Sequence, residues 1–175
     1  GAFHDLGRFY LTQQRFTDAV NALERSLSLD GKNVGVLNDL GSVYLERSRS
    51  EQPSEKFKSL STALEKFAYA EEIAPTDRAS VFNKAQCLQA LSLNNEAKKA
   101  WQRYLELDSI SGWADEARKA LEKLDALSAT KSKEQVADEV LGAVAAGDLE
   151  TVWRINSETR EMMNGLWVPG QLIRR

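Results

Sequence analysis

Cysteine and histidine are almost missing from this sequence, with one of each in 175 residues. One cysteine closes no internal disulfide, and one cysteine with one histidine cannot build a Cys/His zinc centre. Positive charge is not in excess either: 23 Lys+Arg stand against 26 Asp+Glu, a formal net charge of −3. That balance argues against an electrostatic nucleic-acid binder. No run of 18 or more apolar residues occurs, so no membrane-spanning helix is expected. The chain starts at Gly1-Ala2 inside a helical pattern, with no basic and then apolar leader, and reads as a piece of a longer protein. Glycine-rich phosphate loops, H-E-x-x-H and G-x-S-x-G are absent as well. These absences leave a cytoplasmic module that takes no cofactor, no metal, no nucleic acid and no membrane. Catalysis is not expected in this segment.

What is present is a repeat. Leu6-Gly7-x2-Tyr10 returns as Leu40-Gly41-x2-Tyr44, 34 residues on. Ala63-x3-Phe67 returns as Ala97-x3-Trp101, again at 34, whereas Ala19 to Ala63, Leu23 to Phe67 and Gly41 to Ala85 are each 44. One period of 34 with a ten-residue insertion between Tyr44 and Ala63 reconciles all five spacings. A fixed period of this size means stacked structural units.

The units resemble the tetratricopeptide repeat, whose pattern is W-x2-L-G-x2-Y, then A-x3-F, then P. The first reads Phe3-x2-Leu6-Gly7-x2-Tyr10, Ala19-x3-Leu23-x2-Ser26. The second reads Leu37-x2-Leu40-Gly41-x2-Tyr44, Ala63-x3-Phe67-x2-Ala70-x4-Pro75. The third reads Val81-x2-Lys84-Ala85-x2-Leu88, Ala97-x3-Trp101-x2-Tyr104, with Lys84 where leucine is usual and Ser109 where proline is usual. The resemblance implies an all-α fold, a right-handed superhelical stack of antiparallel helix pairs. Small residues (Gly7, Gly41, Ala85, Ala19, Ala63, Ala97) should sit where paired helices approach. Tyr10, Tyr44, Phe67 and Trp101 should fill the space between units.

The expected organisation is a repeat array over 1–127. Its repeats are about 1–33, 34–77 with the insertion, and 78–111, followed by a capping helix at 112–127. A linker over 128–135, a helical hairpin over 136–166 and an extended tail over 167–175 complete it. The insertion should lengthen the second helix of unit two and leave a solvated turn near Pro53. Phe57, Leu60, Leu64 and Phe67 are expected on one stripe of that helix. Trp113, Ala117, Ala120, Leu121 and Leu124 give the capping helix its apolar face, and Gly147-Asp148 marks a helix end and a new start.

A narrower resemblance covers residues 36–124. Leu37-Asn38-Asp39-Leu40-Gly41-x2-Tyr44-Leu45-x-Arg47 and Val81-Phe82-Asn83-x-Ala85 are similar to the repeat region of bacterial CHAT-domain proteins. So is Trp101-x2-Tyr104-Leu105-x-Leu107-Asp108 with Trp113-Ala114-x-Glu116-Ala117. In those proteins the array precedes a caspase-like protease domain. The resemblance implies the sensing or regulatory region of a larger effector.

In arrays of this family the first helices line a concave groove. The groove set by register is His4, Asp5, Arg8, Asn38, Asp39, Ser42, Phe82, Asn83, Gln86 and Gln89. Asn38 and Asn83 carry extra weight because asparagine is a poor helix former, and Phe82 is the one large apolar anchor. The expected partner is a protein or peptide segment, polar to mildly basic. The carboxylate clamp of the cochaperone members is disfavoured: its places hold His4, Arg8, Asp39, Ala79 and Asn83, and Asp39 offsets Arg8. A homo-oligomeric assembly module is the alternative, and an enzyme built on Cys87 the remote one. Cys87 is read as a buried thiol, and the adjacent pair Glu71-Glu72 as solvated charge.

Overall fold

The computed structural model describes residues 1–152 and 155, and their side chains apart from those of 128–133. Seven helices are bounded within the described residues, α1 (Ala2–Thr12), α2 (Phe16–Leu29), α3 (Val34–Arg47), α4 (Pro53–Ile73), α5 (Arg78–Ala90), α6 (Asn94–Leu107) and α7 (Gly112–Ala146), and residues 149–152 are helical as well. No strand occurs among these residues. The chain divides into two compact units, Gly1–Glu122 and Lys123–Arg175.

In the first unit the helices pair in sequence, α1 with α2, α3 with α4 and α5 with α6, and the pairs stack through α2·α3 and α4·α5. The glycines explain the pairing. A Cβ on Gly7 would stand 2.5 Å from Leu23 Cγ, and one on Gly41 would stand 2.5 Å from the Phe67 ring. Ala19 and Ala63 on the second helices, and Ala85 and Ala97 in the third pair, are each fully buried. Large side chains of one helix therefore seat directly on the backbone of its partner. Between pairs, Ala19, Leu23, Val36, Leu40 and Val43 form one apolar cluster. Leu45, Leu60, Ala63, Phe67 and Cys87 form the next.

Helix ends follow local chemistry. Asn33 caps α3 by accepting the Val36 N–H at 3.1 Å, and Asp77 caps α5 by accepting the Ser80 N–H at 2.8 Å. The turns inside the first and third pairs use Gln14 and Ser92 in the left-handed region, with φ of 57° and 59°. The insertion enters at the equivalent turn of the second pair. α4 has 21 residues against 14 in α2 and in α6, so most of the insertion is helical and starts at Pro53, the position where proline suits a helix. Phe57 departs from expectation. It lies on the overhanging turns of α4 and is 66% exposed, while Leu60 and Phe67 are buried. Lys84 replaces the usual leucine by reaching back across the α4–α5 contact to Glu71, Nζ to Oε2 at 2.7 Å.

The linker expected at 128–135 is helical instead, since α7 runs without a break through it. The segment is polar but contains neither glycine nor proline, so nothing in it terminates a helix. α7 also buries Ala114 and Ala117, both fully, whereas Trp113, placed on the apolar face by periodicity, is 62% exposed. In the second unit Leu124, Val140, Ala143 and Ile155 are buried. There α7 ends at Gly147, with φ of +70°, and Asp148 accepts the Thr151 N–H at 3.0 Å. The expected rest of the hairpin to residue 166 and the tail over 167–175 lie outside the described residues, apart from Ile155.

Small-to-large changes at the helix crossings should therefore be costly. Gly41→Ala and Ala97→Leu are each expected to destabilise by about 1–3 kcal/mol through overpacking. The measurement is the urea midpoint, with Gly142→Ala, an exposed helical glycine whose added Cβ would meet nothing within 4 Å, as the control that stays within about 1 kcal/mol.

Candidate functional site

The first helices carry two kinds of polar residue, which their angle to the buried glycines separates. Side chains on the side opposite Gly7, Gly41 and Ala85 point away from the second helices, because successive residues turn by about 100°. Asp5, Asp39 and Asn83, about 160° from them, form that row, and Arg8, Ser42 and Gln86, about 100° from them, flank it. Asp5 and Arg8 are exposed, while Asp39, Ser42, Asn83 and Gln86 are half-buried.

A third row, His4, Asn38 and Phe82, turns towards the next repeat. His4 Nε2 lies 2.6 Å from Asp39 Oδ2, linking α1 to α3, and Arg8 Nε approaches the same oxygen at 3.7 Å. The Asn38 amide donates to Ser80 Oγ at 2.7 Å and to Asp77 Oδ2 at 3.1 Å, linking α3 to α5. Its orientation is fixed by the Asp77 carboxylate, which can only accept. Phe82 sits among Trp101, Tyr104 and Trp113, with ring centroids at 5.0, 5.0 and 5.1 Å and every pair edge-on. It thereby links α5 and α6 to α7.

Two of the sequence assignments are corrected here. Asn38 and Phe82 are both only 7% exposed, so neither is a free groove contact. Phe82 cannot act as the anchor, because aromatic neighbours already cover its ring. Gln89 is half engaged as well, since its Oε1 accepts the Trp101 indole N–H at 3.2 Å. The exposed aromatic at this place is Trp113. Periodicity had turned it inward; the signal for its exposure was the Ala114 and Ala117 pair, small residues suited to the buried side.

The turn that delivers Trp113 is built on Asp108. Its carboxylate accepts the Ser111 hydroxyl at 2.6 Å, the Ser111 N–H at 3.1 Å, the Ile110 N–H at 3.3 Å and the Tyr104 hydroxyl at 3.1 Å. The Ser111 hydroxyl contributes most, and together these bonds lower the Asp108 carboxyl to about 2. Burial, above all, raises the Tyr104 phenol.

Chemistry of a catalytic kind is not assembled around Cys87. The thiol is fully buried, donates to the Leu60 carbonyl at 3.2 Å, and is pushed up to about 12 by burial. The thiolate is the reactive form, so this sulfur is a poor nucleophile, and His4 is engaged with Asp39. Among the described residues no group of three or more His, Cys, Asp or Glu side chains comes together to hold a metal. No described helix is long and apolar enough to cross a membrane. A depression of about 420 Å³ lies between the C-terminal ends of α1 and α3, where Leu11, Thr12, Glu46 and Arg49 meet.

Comparison with known proteins agrees with this geometry. Residues 1–33 match the tetratricopeptide repeat family model. No curated protein matches the chain. Among solved structures, the chain is similar to the first TPR of Spaghetti (RPAP3) bound to the HSP90 peptide SRMEEVD. The TM-score is 0.62 at 20% identity, covering 73% of this chain and 94% of that one. It is also similar to TTC0263, a thermophilic TPR protein of Thermus thermophilus, with TM-score 0.62 and 22% identity over 89% and 79% of the two chains. The Arabidopsis OM64 TPR domain gives 0.60 and 18% over 70% and 93%. The fold is that of a tetratricopeptide-repeat solenoid.

The Asp108 knot gives a pH dependence with a definite sign. A carboxyl lowered from 3.8 to about 2 on folding contributes stability that is complete above about pH 4 and is lost as pH falls towards 2. Asp108→Asn should flatten that limb, read as urea midpoints between pH 2 and 5. An equally steep limb in the variant would contradict the assignment.

Proposed function

We propose that the repeat array is a non-catalytic scaffold that holds a polar, mildly basic peptide or protein segment on the outward rows of its first helices. The observation that carries this reading is the division of labour among those rows. His4, with Asp39 as its acceptor, and Asn38 and Phe82 join the repeats, while Asp5, Asn83 and Gln86 remain on the side away from the second helices. Asp39 and Glu46 lend that side acidity, and Arg8 is drawn to Asp39 at 3.7 Å. The RPAP3 domain, of the same fold, is described as bound to an HSP90 peptide. A peptide as acidic as SRMEEVD would here meet Asp39 and Glu46, and like charge disfavours it. Trp113 supplies the exposed aromatic anchor in place of Phe82.

The resemblance of residues 36–124 to CHAT-domain proteins supports a finer reading. In it the array is the sensing or regulatory region of a larger cytoplasmic bacterial effector. Finding a protease domain in the parent open reading frame is the direct check of that context.

Peptide display on the folded chain, followed by titration calorimetry, tests the binding reading. Enriched peptides are expected to be basic with one apolar side chain, and SRMEEVD is expected not to bind. Trp113→Ala should cost at least about 1 kcal/mol of affinity, and Glu46→Lys should weaken binding in a salt-sensitive way. If both variants bind as tightly as the parent, the partner uses another face.

A further inference from the structure

The overhang of α4 creates an apolar face that the chain covers only in part: Leu64 is half-buried against the core, while Phe57 stands out from it. Pro53, Phe57, Ser61, Leu64 and Ala68 recur at steps of three and four and so share one stripe. A second stripe of the same helix, Leu60, Ala63, Phe67 and Ala70, is buried in the array. The outer stripe borders two adjoining depressions of about 430 and 390 Å³, which share Phe57 and Leu91. Leu93, on the turn before α6, walls the larger one. Phe57 is 66% and Leu93 41% exposed.

We propose that this face is the interface of a two-fold symmetric dimer, in which α4 of a second copy lies antiparallel along the groove. The pattern on the helix selects that occupant. An antiparallel pairing with its dyad beside Ser61 brings Phe57 within one residue of level with Leu64 of the second copy, and Pro53 within one residue of Ala68. The Phe57 ring then enters the depression between Leu64 and Leu93. Ser61, small and exposed, sits on the axis and lets the helices approach.

Charge settles the direction. Lys58 and Glu65 lie seven residues apart, two turns along the same flank of the stripe. About this dyad Lys58 comes within one residue of level with Glu65 of the second copy, close enough for two long side chains to meet, and the contact occurs twice by symmetry. In a parallel two-fold pairing the axis would run along the helices and set this flank against the opposite flank of the second copy, so Lys58 and Glu65 would not meet. Within one chain Glu65 meets only its neighbour Lys66 among the ion pairs found, at 2.9 Å, and is itself 70% exposed. Such a pair is worth little, so Glu65 loses little by turning to Lys58. The insertion supplies both Pro53 and Phe57, which ties the surface to the one irregularity in the repeat.

Sedimentation equilibrium of the full chain over roughly 5 to 500 μM tests the proposal. A dimer is expected. Phe57→Asp should weaken it by about tenfold or more, with helix content unchanged, and with the urea midpoint unchanged at concentrations low enough for both proteins to be monomeric. Lys58→Glu should weaken it too, and adding Glu65→Lys should restore it. Ser61→Cys should give a disulfide-linked dimer under oxidation, since Cys87 is buried. A chain that stays monomeric throughout, a dimer unaffected by Phe57→Asp, or a face that instead takes a helix of another protein overturns the proposal.

Discussion

The contact on which this structure depends is a large side chain resting on a bare helix backbone. Leu23 occupies the space a Cβ on Gly7 would need, and Phe67 does the same at Gly41. In the third pair Ala85 and Ala97 replace the glycine contact, and Trp101 is 2% exposed. Close approach leaves each pair with apolar side chains on its flank that cannot be covered within the pair. Stacking follows, because only a neighbouring pair can bury them.

Stacking in turn needs a device that fixes register, and the first helices provide it at one recurring position. His4, Asn38 and Phe82 each reach the next first helix, by an imidazole–carboxylate contact, an amide network and an aromatic cluster. The middle link is economical: the Asp77 carboxylate that caps α5 also receives the Asn38 amide. Polar links of this kind are directional, so they specify alignment as well as strengthen it. In the row beside them Asp39 receives His4, and the binding proposal rests chiefly on Asp5, Asn83 and Gln86, which lie on the side away from the second helices.

The fold was legible in the sequence because spacing carries it. The period, the insertion, the close crossings and the Gly147-Asp148 break all follow from residue type at fixed intervals. The site was legible only in part. Periodicity gives a residue's angle around its own helix but not where neighbouring helices stand, so Asn38 and Phe82 read as groove contacts although both face the next repeat. Trp113 and Ala114 differ by one residue, and the bulkier was given the buried side although a close crossing requires the smaller. Phe57 fits the apolar spacing of α4, yet the overhang carries it past the elements that would cover it. Over 128–135 polarity suggested a linker, whereas a helix ends only where glycine, proline or a competing cap stops it.

The division of the first-helix residues into joining and outward rows is tested most directly by a double-mutant cycle across the α3–α5 link. Asn38→Ala, Ser80→Ala and the double variant are compared with the parent by urea unfolding. Asn38 Oδ1 is buried without a hydrogen bond, so a single substitution mixes relief of that atom with loss of the link, and the cycle separates them. A coupling of about 0.5–3 kcal/mol is predicted for residues in one network. Additive effects, within about 0.3–0.5 kcal/mol, would contradict it and return Asn38 to the set of groove contacts.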